Sequence, residues 1–227
     1  MIAALKIYPR TVQQELIARL RSAIVNQHFR PNDRLVETEL CKTMGVSRNM
    51  LREALRHLEG EKLVTSVPNR GPSVTAIGWD EAQEIYHVRA MLEGEAAALF
   101  AQRALPEHLV AMRAALQAFE AADAADDAFG RLESTTAFYD VLLGHCGNRI
   151  IRESLNNLTA RMNFIRMQSM SKAGRGKYSL KELRAIYLAA RRGDPEGARA
   201  AAVKHVLAAR EVAREVFNAG ASMSGSM

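Results

Sequence analysis

The chain has 227 residues, enough for two domains, and is 48% hydrophobic but only 6% aromatic, so its cores must be built chiefly from Ala, Leu, Ile, Val and Met. No apolar run approaches about 18 residues, the start MIAALKIYPR is too short and weakly apolar for a signal peptide, and Cys41 and Cys146 lack metal-type spacing; a reduced, cytoplasmic protein with no membrane span is expected. The net charge of +6 is uneven, with 12 Lys+Arg against 7 Asp+Glu in residues 1–77 and 19 against 18 in residues 78–227, so the first third carries the electrostatic footprint for a polyanion.

Thr11 can cap a helix running from Val12 to about Asn26, in which Val12, Leu16, Ile17, Leu20 and Ile24 recur at spacings of 3 and 4 and form one apolar face. A turn-rich connector, His28 to Asp33, leads to a short helix from about Glu37 to Met44. Gly45 then supplies the left-handed backbone that commonly ends a helix. Ser47 caps a third helix. Leu51, Ala54, Leu55 and Leu58 share one arc of it, and Arg48, Arg52 and Arg56 share a neighbouring arc. Strands are predicted over Leu63–Val67 and Ser73–Ala76, around the turn Pro68-Asn69-Arg70-Gly71-Pro72 with its basic tip.

This order of elements predicts a helix-turn-helix with a β-hairpin wing. A major groove admits one helix, whose first residues reach base edges. Arg48 and Arg52 stand where such a helix would read bases, and a guanidinium on guanine O6 and N7 is the commonest specific contact. Asn49 suits adenine or a phosphate. Arg34 and Arg56 suit phosphates, and Arg70 on the wing suits the minor groove or the backbone. The same arginines would equally pair with Glu53, Glu59 and Glu61 on a solvated face.

Residues 12–77 resemble the winged helix-turn-helix of GntR-family bacterial transcription regulators. The matching residues are Arg34-Leu35, Glu39-Leu40, Gly45-Val46-Ser47-Arg48, Leu51-Arg52-Glu53-Ala54-Leu55, Leu58-Glu59, Leu63-Val64 and Arg70-Gly71. The resemblance implies DNA contacts from Arg34, Thr38, Ser47, Arg48, Asn49, Arg52, Arg70 and Gly71. Two residues depart from the family pattern: Asn49-Met50 replaces the usual Thr-Pro, and Thr38 stands where some relatives place a DNA-contacting arginine. Both lie at the reading face and bear on which operator is read.

Residues 79–219 read as helical throughout, with helices expected near 80–104, 106–122, 126–146, 148–171, 179–192 and 195–217. Pro106 and Pro195 sit at helix starts, where a missing N–H costs little. Ser171 to Lys177 reads as a flexible basic connector, and residues 221–227 as a disordered tail. The expected architecture is therefore mainly α: a winged domain over 1–77 and an all-α bundle over 78–220.

This second part resembles the effector domain of the FCD branch of the same family. The features carried over are Val88 through Gly94, Phe138, Cys146-Gly147-Asn148, Ile186, Gly193-Asp194 and Ala198 through His205. The resemblance implies dimerisation and binding of small acids or metal–acid complexes. Many FCD domains hold a metal through an Asp and three His; the corresponding positions here are Thr135, Tyr139, Leu183 and His205. One imidazole does not make a first-row metal site, so no metal or other cofactor is expected, and His87 and His145 do not fit the register of a substitute. Helical spacing points Thr135, Tyr139 and His205 inward, together with Arg89 and Arg161. Two guanidiniums, an imidazole and two hydroxyls suit a small carboxylate, while an Arg89–Glu93 pair and a satisfied core histidine are the plainer alternatives.

The reading is a homodimeric, ligand-responsive regulator, a repressor released from a palindromic double-stranded DNA operator by a small carboxylate. A structural protein binding DNA without sequence preference is the alternative. An enzyme on the helical domain is a further one, with no nucleophile–base pair, phosphate-binding Gly loop or intact metal set to support it.

Overall fold

The computed structural model describes residues 12–26, 28–67, 71–170, 172 and 174–224. The chain divides into two compact units, Met1–Ala76 and Ile77–Met227.

The first unit contains α1 (Val12–Val25), α2 (Glu37–Met44), α3 (Arg48–Gly60), β1 (Val64–Val67) and β2 (Gly71–Val74). The 3–4 spacing of apolar residues brings Leu16, Leu20 and Ile24 of α1 together with Leu40 of α2 and Leu51, Ala54, Leu55 and Leu58 of α3, all buried. Val12 is the exception to the expected α1 face: it lies in the first turn and stays 65% exposed. Gly45, at φ 65°, turns the chain between α2 and α3, and its N–H bonds to the Cys41 carbonyl. Ser47 then caps α3, its hydroxyl accepting from Met50 N at 3.3 Å. Thr11, the expected cap of α1, lies outside the described residues.

The wing differs from the sequence expectation. Its second strand is Gly71–Val74, not 73–76, with Ser66 opposite Pro72 and Val67 opposite Gly71. Pro72 was expected in the turn; proline has no N–H to give a ladder, but here no ladder bond asks for one. Ser66 N donates instead to Glu59 Oε1 at 3.2 Å, and the Pro72 carbonyl accepts from Leu35 N at 2.9 Å. The segment before α2 thereby joins the wing, with Arg34 bridged to Ser73.

The second unit is all helix: α4 (Trp79–Arg103), α5 (Pro106–Ala124), α6 (Ala128–His145), α7 (Arg149–Asn156), α8 (Thr159–Met170), α9 (Arg175–Arg191) and α10 (Pro195–Ser224). Phe100, Phe119, Phe138, Phe164, Leu183 and Ile186 are at its centre. The backbones of α4 and α10 approach closely, because Gly94 has no side chain: a Cβ there would stand 2.8 Å from Val203 Cγ2.

Three helix boundaries depart from expectation. The single helix expected over 148–171 is two, parted at Asn157-Leu158, where consecutive asparagines, Asn156 and Asn157, weaken the helix. The connector is shorter than expected, because Arg175, Gly176 and Lys177 form the first turn of α9. Gly176 permits this: a Cβ would fall 1.6 Å from Asp123 Oδ1. Finally, α10 continues to Ser224, so residues 221–224 of the expected tail are helical, while 225–227 lie outside the described residues.

Candidate functional site

In the winged unit, α3 buries its leucines and turns Arg48, Asn49, Arg52 and Arg56 outward, all exposed. Arg48 and Arg56 have no ion pair among the described residues. Arg52 has one, but not with the glutamates expected from sequence. Its Nε lies 3.1 and 3.0 Å from Glu37 Oε1 and Oε2, in the first turn of α2. Of those three acids, Glu61 pairs with Arg21 at 2.8 Å and Glu59 holds the wing. Thr38 is exposed on α2, beside Glu37 in sequence. Arg34 projects from the segment bridged to β2, and its Nε and Nη2 lie 4.0 Å from where a Gly71 Cβ would be. Arg34 and Gly71 are thus neighbours on the wing, whereas Arg70 lies outside the described residues.

In the helical unit the inward residues form a buried ionic centre. Arg89 and Glu93, one turn apart on α4, pair at 2.7 Å between Nε and Oε1, both essentially without solvent exposure. The pairing weighed from sequence is present, but it is not the whole of the centre. Arg166 of α8 brings Nη2 to 3.5 Å from the same Glu93 oxygen, and its guanidinium lies 4.9 Å from the Tyr139 ring centroid. The Tyr139 ring in turn stacks at 6.3 Å on His205 of α10. His205 Nδ1 is 2.8 Å from Glu182 Oε2, and Glu182 accepts from both Nη atoms of Arg175, at 3.0 and 2.7 Å. Beside Arg89, the Tyr86 ring lies 5.1 Å from its guanidinium carbon.

Three buried guanidiniums therefore face two carboxylates. Among the described residues Arg89 Nη2, Arg166 Nε and the Ser179 hydroxyl have no hydrogen-bond partner, and the Tyr139 hydroxyl, Glu93 Oε2 and the Tyr86 hydroxyl have none of good geometry, with Glu93 within reach of Tyr139 and Ser169 within reach of Tyr86. Buried polar groups are nearly always satisfied, so this concentration of mostly donor atoms is unusual.

The ionisation states follow from position. Burial alone would raise Glu93, but Arg89 and Arg166 outweigh it and hold the carboxyl below its ordinary range. Glu182 is likewise lowered, burial being outweighed by its bonds to His205 and Arg175. Burial lowers His205, only partly offset by Glu182. In the neutral ring Nδ1 must carry the proton given to Glu182, which leaves Nε2 as an acceptor. Burial also pushes Tyr139 well above its ordinary value, assisted by the Glu93 charge.

Two of the five side chains selected from sequence are placed differently. Arg161 is directed to Glu81, at 2.9 Å, and Arg166 takes the place expected for it. Thr135 is fully buried, but its hydroxyl donates to the Arg131 carbonyl at 2.8 Å. Arg166, Arg175, Glu182 and Tyr86 were not selected. The spacing of Arg175 and Glu182, seven residues apart on one helix face, was the available signal.

The residues present do not suit the metal that the family resemblance implies. The four positions hold a hydroxyl bonded to backbone, a tyrosine under a guanidinium, a leucine and a histidine bonded to Glu182, with three arginines around them. Among the described residues no group of three or more His, Cys, Asp or Glu is placed to hold a metal ion. Among the described residues no helix is long and apolar enough to cross a membrane.

A winged helix-turn-helix presenting arginines on its second helix, followed by an all-helical unit with an ionic centre, defines a two-domain DNA-binding protein. Comparison with known proteins makes this specific. Residues 12–74 match the profile described as "Bacterial regulatory proteins, gntR family", and residues 84–208 match the FCD domain. The chain is 31% identical over 193 residues to the uncharacterized HTH-type transcriptional regulator YdhC of Bacillus subtilis, covering 84% of each chain. It is 29% identical over 153 residues to the HTH-type transcriptional repressor GlaR of Escherichia coli, covering 64% of this chain and 70% of that one. The solved structure of E. coli McbR/YncC shares the fold, with a TM-score of 0.81 at 19% identity over 91% of this chain and 99% of that one. The chain belongs to the GntR family, FCD type, and is a DNA-binding transcriptional regulator.

Proposed function

We propose that the protein is a homodimeric repressor whose two winged units read a palindromic operator and which leaves it when a small carboxylate enters the buried ionic centre. The observation that carries the effector reading is the imbalance in that centre: three buried guanidiniums against two buried carboxylates, with Asp140 lining the cleft from its exposed side and with unpartnered donors on Arg89 and Arg166. A single carboxylate neutralises the excess and accepts from those donors. No metal is required, because the guanidiniums supply the positive charge. The cleft reaching Glu93, Tyr139 and Arg166 has a volume of ≈ 20 Å³, room for about one water, so an acid must bind a more open state better than this one. That differential affinity is what couples the ligand to DNA affinity. Repression is in keeping with the name of the GlaR relative, and the dimer with the FCD family.

On the DNA side, α3 enters the major groove, with Arg48, Asn49 and Arg52 toward base edges and Ser47, Thr38, Arg34, Arg70 and Gly71 toward the backbone. A thermal-shift screen of small carboxylates, followed by operator binding with each hit, tests the effector half. A hit should raise the Tm, release DNA and lose its effect in Arg166→Met. A hit whose effect survives that substitution refutes the site.

A further inference from the structure

The Arg52–Glu37 pair differs from the Arg21–Glu61 pair, in which both Nε and Nη2 are bonded. Both Glu37 oxygens face Arg52 Nε, at 3.1 and 3.0 Å, and neither Nη atom of Arg52 is bonded among the described residues. The Arg52 side chain keeps 54% of its exposure and that of Glu37 only 26%, so the acid sits behind the base. Guanine O6 and N7 are read by two parallel N–H groups. Holding an arginine by Nε leaves its two Nη groups unengaged and available as that fork. Arg48, four residues earlier on α3, has no such support among the described residues.

We propose that Glu37 is a positioning residue for sequence reading: it fixes Arg52 for one guanine per half-site, at a cost in general DNA affinity. The cost follows from charge, because a carboxylate near the reading face repels phosphates on every sequence. As an exposed pair it adds little to stability, so its effect belongs in discrimination. The inference rests on the docking of α3 proposed above, and the test separates the two.

The probe is a random-sequence duplex library. Selection with the full-length wild-type protein gives its preferred site, and competition at matched salt with every single-base variant of that site gives discrimination by position. The same measurements are made on Glu37→Gln, Arg52→Ala and the double variant. Glu37→Gln should lower discrimination by about threefold to tenfold at one base pair per half-site, part of what a bidentate arginine supplies, and leave the others unchanged. It should also bind unselected duplex about twofold to fivefold tighter, one repelling charge having been removed. In the Arg52→Ala background Glu37→Gln should alter discrimination nowhere, because Glu37 acts through Arg52. If Arg52→Ala relaxes one position and Glu37→Gln relaxes none, the role of Glu37 is refuted and the docking stands. If Arg52→Ala relaxes none, the docking itself fails. A uniform loss of affinity in Glu37→Gln, on selected and unselected duplex alike, would show a merely structural pair and overturn the inference.

Discussion

Glu93→Gln probes the balance of the buried centre most directly. The carboxylate has no solvent exposure, accepts from Arg89 Nε at 2.7 Å and stands 3.5 Å from Arg166 Nη2. Neutralising it leaves Arg89 without a counter-charge and Arg166 with only Asp140 nearby, while Glu182 stays engaged with Arg175 and His205. Removing one partner of a buried pair costs about 3–5 kcal/mol. For a unit the size of residues 77–227, about 2–4 °C of Tm per kcal/mol applies, so the melting of this unit should fall by about 6–20 °C. Acetate should recover part of the loss in Glu93→Ala, where a free carboxylate can take the position of the missing one, and none in Glu93→Gln, whose amide fills it. Wild type, whose own glutamate already occupies it, should gain less. The assay is thermal melting by circular dichroism in acetate against chloride at matched ionic strength. An unchanged Tm in Glu93→Gln, or the same acetate response in Glu93→Ala and wild type, would refute the account of the centre.

The remaining predictions concern pH, packing and capping. His205, Glu93 and Glu182 all have lowered pKa values, so the unfolded chain binds more protons as pH falls and stability is lost in that direction. The decline should begin as pH drops below about 6.5, where the unfolded histidine protonates, and steepen below about 4.3 as the glutamates follow; His205→Gln should remove the upper part of a Tm–pH profile and leave the lower. Gly94→Val should destabilise the helical unit by about 1–3 kcal/mol in urea unfolding, since any Cβ there meets Val203. Ser47→Ala should cost the winged unit about 1 kcal/mol in the same measurement, because the Met50 N–H loses its acceptor.

The winged unit was readable because its signals are local. Gly45 and Ser47 punctuate the turn, and the leucines of α3 occupy one arc, so α2 and α3 have the bounds expected of them. Pro72 misled because its backbone partner, Leu35, is remote in sequence and only the folded chain brings the two together. The helical unit was readable as helices but less so in its interior. Helix α8 buries Ala160, Met162, Phe164, Ile165, Arg166, Met167, Ser169 and Met170, around most of its circumference. A helix buried all round has no stripe to show which side faces the centre, and periodicity therefore could not choose Arg166 over Arg161. Arg175 was hidden for another reason: two glycines and three basic residues in a short stretch have the composition of a linker, and it is the close packing of Gly176 on Asp123 that makes them a helix.

The interlocked charges of the buried centre bear on how its ligand preference can be redesigned. Arg89 answers Glu93, Arg166 leans on Glu93 and Tyr139, and Arg175 and His205 share Glu182. A library that changes one of these positions at a time unbalances its neighbours, so variants able to take a new ligand will be discarded as poorly folded before they are tested for it. Replacing Arg175 and Glu182 together by apolar residues of similar volume removes a positive and a negative charge at once and leaves Arg89, Arg166 and Glu93 paired as before. The productive unit of variation here is the charge-neutral pair, and a screen built on such pairs would reach sensors that single-site scanning passes over.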